Sequence, residues 1–166
     1  MSDHDDQFQD HLAGAVRVLR MRRLLEIILP FAPNVLMVNC PEQLGHWVAE
    51  RAGWVVVLDT SQARLEQRQE MSLDNVDLFQ GTLAEYAESP DAWDWRLGFD
   101  LVVADGVLGY AAAPASELER MRTWAPWVLA VAPSGGDSAG TDAFKALFTR
   151  VIVCEDDGES VIVLGR

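Results

Sequence analysis

Short, continuous apolar runs alternate along this chain with segments of helical spacing, and this alternation limits the folds available to it. The predicted strands are NVLMVNC (34–40), WVVVLD (54–59), NVDLFQ (75–80), FDLVVAD (99–105), WVLAVAP (127–133), RVIVCE (150–155) and SVIVLGR (160–166). Short runs that are apolar throughout are typical of strands covered on both faces. Because strands alternating with helices form βαβ units, we expect a parallel sheet with helices on both faces.

The segments between the strands predict the helices. These cover residues 12–29, 44–52, 62–71, 83–88, 115–124 and 142–148. Pro30 ends the first helix and Gly53 the second, as is usual for these residue types. Residues 1–11, which begin with MSDHDDQFQD, are predicted to be a flexible acidic tail ahead of a single domain over 12–166.

The last two strands break the alternation. Only the four residues DDGE (156–159) join them, which is too few for a crossover helix. These two strands must therefore pair antiparallel. We predict a Rossmann-like three-layer α/β/α sandwich whose seven-stranded sheet has six parallel strands and one reversed strand at the C-terminus.

Composition disfavours two classes of partner. The chain has 13 Lys and Arg against 26 Asp and Glu, a net charge of −13. Such a surface repels a nucleic-acid backbone. No apolar run approaches the roughly 18 residues needed to cross a bilayer. We therefore expect neither nucleic acid nor a membrane as a partner.

One basic cluster stands against this acidic background, formed by Arg17, Arg20, Arg22 and Arg23. It is either the solvated face of a helix or a docking face for an acidic partner, including a second copy of this chain. If the cluster is a docking face, we expect a homodimer or a complex with a protein partner.

The cysteines and histidines do not predict a metal site. Cys40 and Cys154 are 114 positions apart and form no C-x-x-C pair. They are most simply reduced thiols, which predicts a cytoplasmic protein. His4, His11 and His46 do not have metal-ligand spacing with either cysteine.

Asp59 is the first candidate for ligand binding. Open α/β sheets bind ligands at the carboxyl ends of their strands, beside the point where the strand order reverses. Asp59 ends the second predicted strand, 20 residues beyond Asn39. A carboxylate there can accept hydrogen bonds from both hydroxyls of a ribose. The alternative is that Asp59 only caps the helix that follows it in DTSQ.

Five segments carry a resemblance to a known family: VLMVNCPEQLG, VVVLDTSQARLEQ, NVDLFQGTLAEY, FDLVVADGVLGY and the closing hairpin. From about residue 24 to its end, the chain resembles the class I S-adenosylmethionine-dependent methyltransferases. The hairpin is the most specific part, since NAD-type Rossmann domains lack the reversed strand; the G-x-G-x-x-G of NAD binding is also missing. The resemblance implies S-adenosylmethionine as cofactor and methyl transfer to a small molecule or a protein.

The resemblance also implies which residues contact the cofactor. They follow the first four strands: Asn39, Cys40, Gly45, Asp59, Thr60, Thr82, Leu83 and Asp105. Asp105 is in addition the candidate catalytic residue, as a carboxylate that orients the substrate or accepts a proton; the alternative is a turn or helix-cap residue. Tyr110 and His46 are further candidates at the mouth of the cleft, with packing or surface roles as the alternative.

The first turn departs from the family pattern, in which an acidic residue precedes Gly-x-Gly-x-Gly. Met37 takes the acidic position, and Asn39, Pro41 and Gln43 take those of the glycines. Asn tolerates a positive φ better than most residues. Pro fixes φ near about −65° and lacks an N–H. Glu42 is a candidate substitute for the missing carboxylate.

These departures keep a second function open. Thr82 also stands where the family often carries an acid that faces the adenine. The alternative is a catalytically inactive, methyltransferase-like binding or scaffolding subunit that dimerises or joins a partner chain. Trp93 and Trp95 would then form an aromatic contact surface, unless they only cover the sheet.

Overall fold

The computed structural model describes residues 3–32, 34–69, 73–90, 98–106, 114–133, 139–155 and 160–166. Within these ranges the strands are β1 (Asn34–Val38), β2 (Trp54–Asp59), β3 (Val76–Gln80), β4 (Leu101–Ala104), β5 (Trp127–Pro133), β6 (Val151–Glu155) and β7 (Ser160–Gly165). They form one sheet in the order β3-β2-β1-β4-β5-β7-β6.

The sheet has the predicted topology. Strands β1 to β5 pair in parallel, and β7 lies antiparallel between β5 and β6. The prediction of six strands in one direction and one reversed strand is therefore confirmed. Because β1 pairs with β2 on one side and with β4 on the other, the strand order reverses at β1. A ligand crevice is expected at the carboxyl ends of these strands.

Six α-helices and one 3₁₀ turn lie within the described ranges. They are α1 (Asp3–Ile28), the 3₁₀ turn (Leu29–Phe31), α2 (Glu42–Ala49), α3 (Gln62–Gln69), α4 (Leu83–Glu88), α5 (Pro114–Trp124) and α6 (Ala139–Leu147). None of these helices is both long enough and apolar enough to span a membrane.

The first helix corrects one sequence boundary. α1 begins at Asp3, whereas the sequence placed its start at residue 12 and a flexible tail before it. Acidic residues near a helix N-terminus are stabilised by the helix dipole, and the start of the chain is rich in them. The acidic stretch is therefore part of the helix that precedes β1.

Alternate side chains of the strands β1, β2, β4, β5 and β7 enter two separate cores. On β1, Val35 and Met37 pack with α1 and α2, whereas Leu36 and Val38 pack with α4, α5 and α6. This alternation is the period-two geometry of a strand. Helices therefore cover both faces of the sheet, and the three-layer α/β/α architecture is confirmed.

Helix α3 packs on the sheet in an unusual way. Its sequence, QARLEQRQ, buries only two side chains, those of Leu65 and Arg68. These residues are three positions apart and so lie on one face of the helix. An arginine therefore completes the inner face of α3, close to the carboxyl ends of β1 and β2.

Candidate functional site

The carboxyl ends of β1, β2 and β4 are joined by backbone hydrogen bonds. The N–H of Asn39 donates to the carbonyl of Leu58 at 2.9 Å, and the N–H of Asp105 donates to that of Val38 at 3.0 Å. The residues that follow these strands therefore lie at a common edge of the sheet. This edge contains the candidate site.

The turn after β1 accommodates its two unusual residues. Asn39 has a φ of 54°, the left-handed conformation that glycine usually supplies. Pro41 has a φ of −60° and directly precedes α2, which begins at Glu42 and not at residue 44 as expected. At this position the missing N–H of proline breaks no helical hydrogen bond. Asn39 Oδ1 is buried, and no donor among the described residues reaches it.

Gly45 makes room for a buried arginine. A Cβ atom built on Gly45 would lie 2.8 Å from Nη1 of Arg68. Nη2 of the same guanidinium donates a hydrogen bond to the carbonyl of Cys40. Gly45 was predicted to contact a cofactor, and in this structure its neighbour is Arg68. Sequence reasoning missed Arg68; the available signal was its position three residues after Leu65 on a helix with no other large apolar residue.

Asp59 is completely buried at the end of β2. Its Oδ1 accepts the N–H of Ser61 at 2.9 Å and pairs with Arg64 at 2.8 Å. Its Oδ2 lies 3.9 Å from Nη2 of Arg68 and has no hydrogen-bond partner in the described parts of the chain. Ser61, not Asp59, caps α3 by accepting the N–H of Arg64 at 3.4 Å, so the helix-cap alternative for Asp59 is wrong. Thr60 is exposed.

Asp105 lies at the end of β4 and is 9% exposed. Its Oδ2 is 3.6 Å from Nη2 of Arg17 on α1. Burial raises the pKa of the Asp105 carboxyl, because removal from water disfavours its charged form, while Arg17 and Arg64 partly oppose this rise. Gly106 follows with a φ of 74°, which places Asp105 in a tight turn.

The side chain of Cys40 enters the core rather than the crevice. It is 1% exposed, and its Sγ donates to the carbonyls of Val38 at 3.5 Å and Val103 at 3.3 Å. Burial, followed by the charge of Asp105, raises the pKa of this thiol to about 12. Cys40 is therefore a structural thiol and a poor nucleophile.

The residues of the turn after β3 cap the N-terminus of α4. The hydroxyl of Thr82 accepts the N–H of Glu85 at 3.2 Å, and the Glu85 carboxylate accepts the N–H of Thr82 at 2.7 Å. These bonds form a capping box, whose T-x-x-E signature was present in the sequence. The Thr82 N–H, and after it the Thr82 hydroxyl, which donates to the same carboxylate oxygen at 2.9 Å, lower the pKa of the Glu85 carboxyl. The side chain of Leu83 is buried in the core beneath α4.

Of the four remaining candidates from the sequence, one lies within the described residues. His46 is on α2, with its Nε2 3.3 Å from the Glu50 carboxylate. Tyr110, Trp93 and Trp95 lie outside the described residues.

The arginine cluster does not form one free basic patch. Arg17 faces Asp105, as described above. Arg22 donates to the carbonyl of Gln43 at 2.8 Å and lies 5.6 Å from the centre of the Trp47 ring. At least two of the four arginines therefore hold α1 against the site and against α2. Met37, at the family's acidic position, is fully buried in the core.

Charge at the strand ends differs from that of the whole chain. Three arginines (Arg17, Arg64 and Arg68) face two carboxylates there, in a chain of net charge −13. Local sequence patterns missed these arginines as site residues, because they reach the edge from α1 and α3. Among the described residues, no group of three or more His, Cys, Asp or Glu side chains is arranged to hold a metal ion.

Comparison with known proteins was informative only at the level of structure. No protein-family model and no curated protein matches the sequence. The N-methyltransferase NodS from Bradyrhizobium japonicum WM9 superimposes with a TM-score of 0.69 at 13% identity, over 90% of this chain and 96% of that one. The N-terminal domain of EvdMO1 with SAH bound gives a TM-score of 0.67 at 16% identity, over 92% and 80% of the two chains.

The structure of a DhpI–SAH complex covers most of this chain as well. It gives a TM-score of 0.66 at 17% identity, over 99% of this chain and 89% of that one. Identities this low establish shared architecture only. The chain has the Rossmann-like fold of the class I S-adenosylmethionine-dependent methyltransferases, as its sequence predicted.

Proposed function

We propose that this protein binds S-adenosylmethionine at the carboxyl ends of β1 and β2 and transfers its methyl group to a small-molecule or protein acceptor. One observation carries the proposal. Asn39 Oδ1 and Asp59 Oδ2, at the ends of two neighbouring strands, are buried hydrogen-bond acceptors without a donor among the described residues. An unsatisfied buried polar atom costs about 1–3 kcal/mol, so a ligand that brings donors to both atoms is favoured.

The donor chemistry of the cofactor fits these acceptors. S-adenosylmethionine carries an ammonium group and two ribose hydroxyls, all of which donate hydrogen bonds. NodS and DhpI, which share the fold, have been solved with S-adenosylhomocysteine, the molecule that remains after methyl transfer. In the proposed site Asp59 Oδ2 accepts from the ribose. Asn39 Oδ1 accepts from the ammonium group and so replaces the acid that is missing at Met37.

When bound, S-adenosylmethionine supplies an electrophilic methyl group on a positively charged sulfur. The chain contributes chiefly orientation, because transfer to a reactive nucleophile depends on proximity. Asp105 is the carboxylate available at the end of β4 to receive a proton from the acceptor. Because burial raises its pKa, it is a stronger base than an exposed aspartate, and Arg17 restrains it from 3.6 Å away.

The ion pair between Arg64 and Asp59 favours a second function. In this function the protein is a catalytically inactive binding or scaffolding subunit that dimerises or joins a partner chain. Oδ1 of Asp59 is already occupied by the Ser61 N–H and by Arg64. A ribose that used both carboxylate oxygens would have to displace Arg64, whose side chain is 51% exposed and can turn into solvent. In the scaffolding function Arg64 stays in place and no cofactor enters.

Calorimetric titration separates the two functions. For the methyltransferase we expect binding heat from both S-adenosylmethionine and S-adenosylhomocysteine. Asp59→Asn should weaken both by at least about 10-fold, since a hydrogen bond to a charged group contributes about 1.5–3 kcal/mol. Arg64→Gln should tighten both, because it uncovers Oδ1. Glu119→Gln, which removes an exposed carboxylate on α5, is the matched control.

A lack of ligand binding would decide against the methyltransferase. If the wild-type protein is folded by circular dichroism and gives no heat with either ligand at high micromolar concentration, the methyltransferase function is excluded. A stable dimer in the same sample, measured by sedimentation, would then support the scaffolding function.

A further inference from the structure

A trough of about 630 Å³ lies between α2, α3 and the edge strand β3. It exists because α3 buries only Leu65 and Arg68, so the helix does not close over β3. The floor of the trough is apolar and includes Val57, Val76 and Leu78. Val76 and Leu78 are only partly buried, which leaves apolar surface accessible to a ligand.

The trough adjoins the proposed cofactor site but is not the same site. Gly45 and Arg68 line the trough and also lie beside the strand ends, whereas Asn39, Asp59 and Asp105 do not line it. The cofactor site lies on the edge formed by the strand ends. The floor of the trough lies instead on the face of the sheet that α2 and α3 cover, so a ligand there goes beyond the proposed function.

The inner wall of the trough contains polar atoms without partners. Arg68 lines it with a side chain that is 5% exposed, and its Nε is buried with no hydrogen-bond acceptor among the described residues. His46 also lines the trough, and its Nδ1 is buried with no hydrogen-bond partner in the part of the chain that the structure describes. A carboxylate could accept from the Arg68 Nε–H and from an N–H at Nδ1 of His46.

The outer rim of the trough has the opposite charge. Glu66, Asp74 and Asp77 line it and are all exposed. Asp77 is held in place, because its Oδ2 accepts the indole N–H of Trp54 at 3.0 Å. Three carboxylates at one rim attract a positively charged group.

We propose that this trough binds a small amphipathic zwitterion, namely a free amino acid with an apolar side chain. Its apolar part would cover the floor, its carboxylate would meet Arg68, and its ammonium group would meet the acidic rim. A simple amine would leave the Arg68 Nε without a partner, and a simple carboxylate would face three like charges. The volume lies within the range of about 300–1,000 Å³ that is usual for small-molecule sites.

Three related probes test the proposal on the full-length protein. Phenylalanine carries both charges, phenethylamine only the ammonium group, and 3-phenylpropionate only the carboxylate. Ligand-observed NMR or calorimetry should give phenylalanine the highest affinity, by about 10-fold or more over each single-charge analogue, as expected for the loss of one charged contact. Saturating S-adenosylhomocysteine should not displace phenylalanine.

Substitutions at the acidic rim test whether phenylalanine binds in the trough. Replacing Glu66→Gln together with Asp74→Asn should weaken phenylalanine and phenethylamine by about 10-fold without weakening 3-phenylpropionate. Glu119→Gln, on the far side of the sheet, should change none of the three affinities.

Three outcomes would overturn the proposal: equal affinities for the three probes, no binding of phenylalanine at millimolar concentration, or its displacement by S-adenosylhomocysteine. Phenylalanine binding without any heat from S-adenosylhomocysteine would leave the trough site standing and exclude the cofactor site. The two proposals therefore fail independently.

Discussion

Two turns at the same edge of the sheet, those after β1 and after β3, use their polar groups in opposite ways. After β3, Thr82 and Glu85 close a capping box, so the hydroxyl and the carboxylate satisfy each other and the first turn of α4. After β1, Asn39 has a left-handed backbone conformation, and its buried Oδ1 has no donor within the described ranges. The turn after β3 is complete without a ligand, whereas the turn after β1 is not.

The difference shows what distinguishes a binding turn from a structural turn in this fold. Both turns occupy positions that contact the cofactor in the resembled family, so position alone does not separate them. Hydrogen-bond accounting does, since buried polar groups in folded proteins are nearly always paired. By this criterion we propose that Asn39 and Asp59 belong to the cofactor site, whereas the polar groups of Thr82 are satisfied by the helix that it caps.

The largest expected effect concerns Cys40, which belongs to the β1 turn by sequence and to the core by structure. In a Cys154→Ser background at about pH 8, we expect Cys40 to react with a disulfide reagent at least about 1,000-fold more slowly in the folded protein than in urea. The cause is its burial, which raises the pKa of the thiol to about 12 and leaves little thiolate. Rapid labelling of the folded protein would mean that the β1 turn opens and lets the reagent reach Cys40 from the crevice.

A matched pair of glycines tests how Arg68 holds the β1 turn. Gly45→Ala should be less favourable than Gly14→Ala by about 1–3 kcal/mol, because its new Cβ would lie 2.8 Å from Nη1 of the buried Arg68 and must displace this side chain, whereas both variants gain the helix propensity of alanine. Gly14→Ala, in α1 with no atom of another described element within 4 Å of its Cβ, should stabilise the protein by about 0.5–1 kcal/mol. Urea unfolding measures both. Equal effects would mean that Arg68 does not pack against Gly45.

Thr82→Ala tests the structural role of the β3 turn. Loss of the cap should cost about 1 kcal/mol in urea unfolding. The cap lowers the pKa of Glu85, so its stabilising effect is present above the unfolded pKa and is lost as the pH falls through the folded pKa. The deficit of the variant should therefore be larger at about pH 7 than at about pH 3. A deficit independent of pH would exclude a contribution from the hydrogen bond between the Thr82 hydroxyl and the Glu85 carboxylate, since the backbone N–H that also binds this carboxylate remains in the variant.

Asp105→Asn should give the smallest change in the free energy of unfolding, and we expect this change to be an increase near neutral pH. Because burial raises the pKa of Asp105 above its unfolded value, wild-type stability decreases as the pH rises from the unfolded pKa to the folded pKa. The variant should therefore be more stable than wild type near neutral pH, and this advantage should vanish below the ordinary aspartate pKa. A variant that is less stable at neutral pH would show that the ion pair with Arg17 outweighs burial.

The sheet could be predicted almost completely from the sequence. Strands β2 and β5 have the predicted bounds, 54–59 and 127–133, because a strand buried on both faces is apolar throughout. The short DDGE connection predicted the reversed strand. The start of α1 at Asp3 was missed, because an acidic, polar stretch is also typical of a tail.

The site was only partly predictable. The positions of Asp59 and Asp105 at the carboxyl ends of β2 and β4 could be predicted, and ligands of open α/β sheets bind at such ends. Arg64 and Arg68 could not be found, because their pairing with Asp59 depends on how α3 packs and not on local sequence. The capping role of Thr82 was readable from T-x-x-E, but its family position gave it a cofactor role instead.

Titration of S-adenosylhomocysteine into two variants tests the central claim most directly. Asn39→Gly keeps a residue suited to a positive φ and removes the side chain that carries the unpartnered Oδ1, whereas Thr82→Ala removes a satisfied hydroxyl. We expect Asn39→Gly to weaken binding by at least about 5-fold, the value of one hydrogen bond, and Thr82→Ala to leave it unchanged. Equal loss in the two variants, or unchanged binding in Asn39→Gly, would contradict the claim that the unpartnered acceptors mark the cofactor site.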